Sequence, residues 1–153
     1  MDAIIDKKKI PLSLLGELNE TDLTNASDND LRDALERDGY LFLRNIINLK
    51  EIKIARNDIF KRLKSVDELK EPYKDGIASG NSSRDKIHND RGHFWETVSL
   101  SKPLRKVTNG KALENIFSKI FGAPSIGFDF IFLRAVARGK FTHMHCDAGF
   151  FTR

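Results

Sequence analysis

An α+β fold, with helices first and strands last, follows from three features of this 153-residue sequence. Several segments between Asp28 and Gly122 carry apolar residues at helical spacing, and some of them stop on a glycine. After Pro124 the character changes: "IGFDFIFLRAV" and "FTHMHCDAGFFTR" are dense in β-branched and aromatic residues, with a turn around Gly139 between them. There are no internal repeats, and the elements are segregated rather than alternating, which is the α+β pattern.

Residues 1–26 are polar and weakly patterned and are expected to form an N-terminal arm; residues 27–153 hold the domain. The helix of "SDNDLRDALERDG" has Ser27 or Asp28 as its cap and an acidic first turn. Leu31, Ala34 and Leu35 supply its short apolar face, and Gly39 ends it. Tyr40 to Ile46 reads as a strand because aromatic and aliphatic residues follow one another closely. Asn48 can cap a second helix, which runs to about Lys64 with Ile52, Ala55, Ile59, Phe60 and Leu63 at helical spacing. From Glu71 to Gly92 the periodicity is lost. "EPYKDGIASGNSSRDKIHNDRG" reads as a long loop, and a loop of that length is commonly a lid or a binding segment. Helical stretches are expected near 99–108 and at 111–121, the latter with Leu113, Ile116, Phe117, Ile120 and Phe121 on one face. Further strands follow on either side of Gly139, and a third from Gly149 onward.

Composition excludes several function classes. Hydrophobic content is 40% and charged content 31%, as in a globular chain. No apolar run approaches the roughly 18 residues of a membrane span. The N-terminus lacks the basic-then-apolar order of a secretory signal. A single cysteine, Cys146, cannot close an internal disulfide, which points to a reducing compartment, the cytoplasm. The formal charge of +4 is mild, and along the sequence the basic residues are dispersed among acids. The expected partner is therefore a small molecule, neither nucleic acid nor a membrane.

The chemistry-bearing residues lie near the C-terminal end of the sequence. On a strand, side chains alternate between faces, so His143, His145 and Asp147 share one face and Met144 and Cys146 the other. An imidazole beside a carboxylate is a donor pair for a borderline divalent metal such as Fe(II). Spacing alone is weak evidence, because His88 and Asp90 repeat it in "KIHNDRGH", with His93 nearby. Context separates the two pairs. A strand fixes ligands better than a loop does, so His145 and Asp147 are the metal candidates. His88, Asp90 and His93 read as solvated loop residues, with substrate contact from a lid as the alternative. Cys146 reads as a small core residue.

The stretch "FDFIFLRAVARGKFTHMHCDAGFFTR" resembles the phytanoyl-CoA dioxygenase family of non-haem Fe(II), 2-oxoglutarate-dependent oxygenases. In that family a strand bearing Arg or another polar residue leads through a turn into T-x-x-H-x-D and then an aromatic strand. The matching residues are Arg134, Gly139, Thr142, His145, Asp147 and Phe150–Phe151. Upstream, "LRDALERDGYLFLRNII" resembles the family's opening, in which a helix ending in Asp-Gly leads to an apolar strand and a second helix. The resemblance implies N-terminal helices followed by the first strands of a double-stranded β-helix, or jelly-roll. It implies His145 and Asp147 as iron ligands, with 2-oxoglutarate as co-substrate. Arg134 is then placed to bind that co-substrate through its planar fork, a surface position being the alternative. His143 does not match the family's metal position and is assigned to the site wall or to the support of a ligand.

The family pattern also requires a second histidine far downstream of Asp147 and a basic residue after it, and neither is among these residues. The expectation is that the sequence covers the N-terminal half of a dioxygenase that hydroxylates a small organic or acyl substrate. A non-catalytic remnant, or a small metal-binding barrel of the cupin type using His143, are the alternatives.

Overall fold

The computed structural model describes residues 3–5, 7–23, 25–87, 91–129, 131 and 133. Residues 20–134 form one compact unit, and residues 1–19 belong to another.

Residues 1–19 contain a short hairpin. β1 (Ala3–Ile5) and β2 (Lys8–Ile10) pair antiparallel, with Ala3 opposite Ile10 and Ile5 opposite Lys8. Lys7 takes a positive φ of 65° in the tight connection. A 3-10 turn follows at Leu12–Leu14. The described strands of the α+β fold are this two-stranded sheet.

The unit 20–134 is helical. α1 (Asp28–Asp38) begins as expected, with a complete capping box. The Asp30 backbone N–H donates to Ser27 Oγ at 3.2 Å, and the Ser27 backbone N–H donates to the Asp30 carboxylate at 2.7 Å. Gly39 ends the helix with φ 73°, a left-handed conformation that costs a residue without Cβ nothing. α2 (Leu49–Lys64) begins at Asn48, whose side chain accepts from the Lys50 N–H at 2.8 Å. Four helices follow: α3 (Arg84–Ile87), α4 (Arg91–Ser99), α5 (Lys102–Thr108) and α6 (Lys111–Phe121).

Leu63 and Val66 at the end of α2 pack on Phe94 and Val98 of α4. Ile59, Phe60, Leu69, Trp95 and Leu133 close around them. Leu31, Val66 and Val98 are fully buried, each worth about 1.5–3 kcal/mol relative to exposure. α5 packs along α2, and α1 packs along α6. At the second contact Arg32 Nη1 donates to the Lys119 carbonyl at 2.8 Å, and Lys119 pairs with Asp28.

Three boundary expectations need correction. Tyr40 to Ile46 is not a strand: Phe42 makes a single parallel bridge to Glu20, and Asn45 turns left-handed at φ 58°. An extended segment needs a neighbouring strand to complete its hydrogen bonding, and among the described residues only that bridge supplies one. The helical stretch expected near 99–108 is divided. Ser101 caps α5 by accepting from the Leu104 N–H, and α4 already begins at Arg91, inside the expected loop. The described residues of "IGFDFIFLRAV", 126–129, 131 and 133, belong to no ladder. The other strands expected after Gly139 lie outside the described residues.

Candidate functional site

His143, His145, Cys146 and Asp147 lie outside the described residues, as do Arg134, His88 and Asp90. His93 is described. It sits on α4 rather than in a loop, exposed, with Nδ1 3.6 Å from Glu96 Oε2. Among the described residues no three His, Cys, Asp or Glu side chains converge to hold a metal. The described residues instead show how the approach to the expected site is held, and they add two features the sequence did not disclose.

The approach is the segment after α6. Gly122 reverses the chain at φ 66°, and Ser125 docks back onto α6. Its N–H donates to Ser118 Oγ at 2.9 Å, and its hydroxyl donates to the Glu114 carbonyl at 2.7 Å. Arg105 of α5 then clamps the next residues, donating to the Phe128 carbonyl at 2.9 Å and to that of Asp129. Asn109 Nδ2 also donates to the Phe128 carbonyl, at 3.2 Å. Leu133 packs on the core formed by α2 and α4. Leu133 is thus partly buried against apolar side chains, and the backbone five residues further back is held by a guanidinium.

The first added feature lies in the expected loop. Residues 66–83 fold as an irregular ribbon: Ser79 N–H donates to the Glu68 carbonyl, Lys70 N–H to Ile77, and Ser83 N–H to Val66. A bridge joins Leu69 and Ala78. At the turn, Gly76 has φ 68° and presses against the Phe60 ring; a Cβ there would lie 2.5 Å from Phe60 Cζ.

Arg84 fastens the far end of the ribbon. Its guanidinium lies 4.6 Å from the Phe94 ring centroid and 4.7 Å from that of Trp95, and it pairs with Glu68. Ser82 Oγ donates to the same Glu68 oxygen at 2.8 Å. The Arg84 and Glu68 side chains are only 15% and 18% exposed. Glu68, Ser82, Arg84 and Asp85 line a cavity of about 250 Å³. A polar cluster of this kind gave no sequence signal, because Glu68 and Arg84 stand 16 residues apart in a stretch without periodicity.

The second added feature is an apolar groove of about 530 Å³ between α1, residues 41–47 and α6, lined among others by Leu35, Phe42, Ile46, Leu113 and Ile120. The apolar face expected on α6 is present but incompletely covered: Phe121 remains 66% exposed. Among the described residues no helix is long and apolar enough to cross a membrane.

No family model, curated protein or solved structure matches this chain.

Proposed function

We propose that the chain is part of an Fe(II)- and 2-oxoglutarate-dependent dioxygenase of the cytoplasm, acting on a small organic or acyl substrate. His145 and Asp147 are two ligands of its iron, and Arg134 binds the co-substrate. The observation that carries this reading is the ordered string Arg134, Gly139, Thr142, His145, Asp147 and Phe150–Phe151. Its support upstream is α1 with its Asp38-Gly39 end followed by α2, the two helices of the family's opening, although the segment between them does not form the strand that the opening also has.

The donor chemistry fits the group. An imidazole nitrogen and a carboxylate oxygen suit a borderline divalent ion and leave positions for a chelating co-substrate and oxygen. When bound, iron and 2-oxoglutarate supply the oxidising power: one oxygen atom goes into a substrate C–H bond, the other into succinate, and CO₂ is lost. The residues of the chain bind and orient. A planar guanidinium at Arg134 could donate two parallel hydrogen bonds to a carboxylate of 2-oxoglutarate.

The test begins with the coding sequence beyond the codon for Arg153, searched for the downstream histidine and basic residue. The protein so encoded is assayed for iron-dependent succinate release from 2-oxoglutarate. His145→Ala and Asp147→Ala should each abolish turnover, and Arg134→Ala should raise the 2-oxoglutarate KM at least tenfold. Turnover that survives both ligand substitutions refutes the assignment. Tight binding of a single divalent ion by residues 1–153 alone, lost on His143→Ala, would favour the cupin-type alternative, which uses all three of the alternate positions 143, 145 and 147.

A further inference from the structure

The basic residues look dispersed in the sequence, but helix formation gathers many of them. α2 carries six basic and two acidic side chains, a formal +4 that equals the charge of the whole chain. At 100° per residue, Lys50, Lys53, Asn57, Lys61 and Lys64 fall within an arc of about 80°, and the stripe runs about 21 Å along the axis. Ala55 and Leu63, the buried residues of α2, lie on the opposite side.

The two acids do not neutralise this face. Asp58 is bound by Arg62 at 2.9 Å, and Glu51 by Lys106 of α5 at 2.9 Å. Lys64 pairs with Glu71. Lys50, Lys53 and Lys61 are exposed and have no acidic partner among the described residues. Two apolar side chains flank the N-terminal end of the stripe, Leu49 (62% exposed) and Ile54 (58% exposed).

We infer that the outer face of α2 is a docking surface for an anionic phospholipid bilayer, held at the headgroup level without spanning it. The residue types select this occupant. Lysine is depleted from protein–protein interfaces, which favour arginine and aromatic anchors. Readers of nucleic acid use arginine forks and stacking aromatics, whereas the stripe itself carries four lysines and no arginine, with one aromatic ring, Tyr73, beside Lys64 at its far end. Lysine clusters on a helix, with a few apolar side chains able to enter the interfacial layer, match a negatively charged leaflet. This surface contact needs no spanning helix, and among the described residues none is long and apolar enough to span.

Co-sedimentation of the full chain with phosphatidylcholine vesicles, with and without phosphatidylserine, tests the inference. Binding is expected only with phosphatidylserine and should fall steeply with added salt. Each surface lysine is worth about a fivefold change in partitioning. A variant carrying Lys50→Gln, Lys53→Gln and Lys61→Gln should therefore bind about 100-fold more weakly, with an unchanged circular dichroism spectrum. Neutralising Lys8, Lys70 and Lys86 lowers the net charge equally and should leave most of the binding. The inference is overturned if the two triple variants lose binding alike, if phosphatidylserine makes no difference, or if duplex DNA is bound at a salt concentration where the vesicles are not.

Discussion

Replacing Arg84 by methionine removes a guanidinium while keeping a flexible apolar stem between Phe94 and Trp95. Its charge-assisted bond to Glu68 has a typical worth of about 1.5–3 kcal/mol, and both side chains are mostly buried, so solvent screens it only partly. Two aromatic faces add about 0.5–1 kcal/mol each. Against these stands the buried Arg84 Nε, which has no hydrogen-bond partner, a cost of about 1 kcal/mol or more. The net expectation for Arg84→Met is a loss of about 2 kcal/mol. With a urea m-value of about 2 kcal/mol/M for a unit of this size, the midpoint falls by about 1 M. Trp95 is the only tryptophan, so its emission reports both unfolding and the change in its own surroundings. Glu68→Gln should cost less, and the pair should couple by about 1 kcal/mol in a double-mutant cycle. A single substitution within about 0.5 kcal/mol of the parent, or strict additivity of the two, would refute the claim that this pair fastens the ribbon.

Other perturbations test neighbouring contacts. Gly76→Ala forces a Cβ into a left-handed residue against Phe60 and should cost about 2–3 kcal/mol; Phe60→Leu in the same chain should recover part of it in thermal unfolding. Ser27→Ala removes the α1 cap and should cost about 1 kcal/mol, read by urea titration. The Ser27 hydroxyl, and then its backbone N–H, hold the Asp30 carboxyl below its ordinary value. The folded pKa is therefore the lower one, so this contribution is intact at neutral pH and is lost as pH falls through the carboxylate range. Helicity in the parent should drop on acidification more than in Asp30→Asn, and equal profiles would remove the cap from the account. Arg105→Ala should release the backbone at Phe128 and Asp129, seen as faster proteolysis near 126–129. A loss of global stability much above 1 kcal/mol would instead make Arg105 part of the core.

The helices were legible because their signals are local. Ser27, Gly39, Asn48 and Gly122 mark ends in residue types whose preferences act within one turn, and α1, α2 and α6 lie close to where those signals place them. α4 was not legible because Phe94, Trp95 and Val98 give a weak period among polar residues; burial against α2 stabilises it. The Tyr40–Ile46 segment has strand-forming residues but lacks strand neighbours, and sheet formation is a non-local event that propensity does not supply. The hairpin β1–β2 is not legible for a related reason: strands of three residues are too short to show a period, and only cross-strand pairing reveals them.

By itself the sequence determined the caps, the helical periods and the donor chemistry of His145 and Asp147, each a property of residues a few positions apart. Tertiary structure decided what required distant residues to meet. Arg84 reaches Glu68 and two aromatic rings, Arg105 holds the backbone at Phe128, and Lys106 of α5 takes up Glu51, which leaves Lys50, Lys53 and Lys61 of α2 without an acidic partner among the described residues. The physical reason is common to all three: Coulombic and packing energies depend on separation in space, and separation in space is set by how the helices pack.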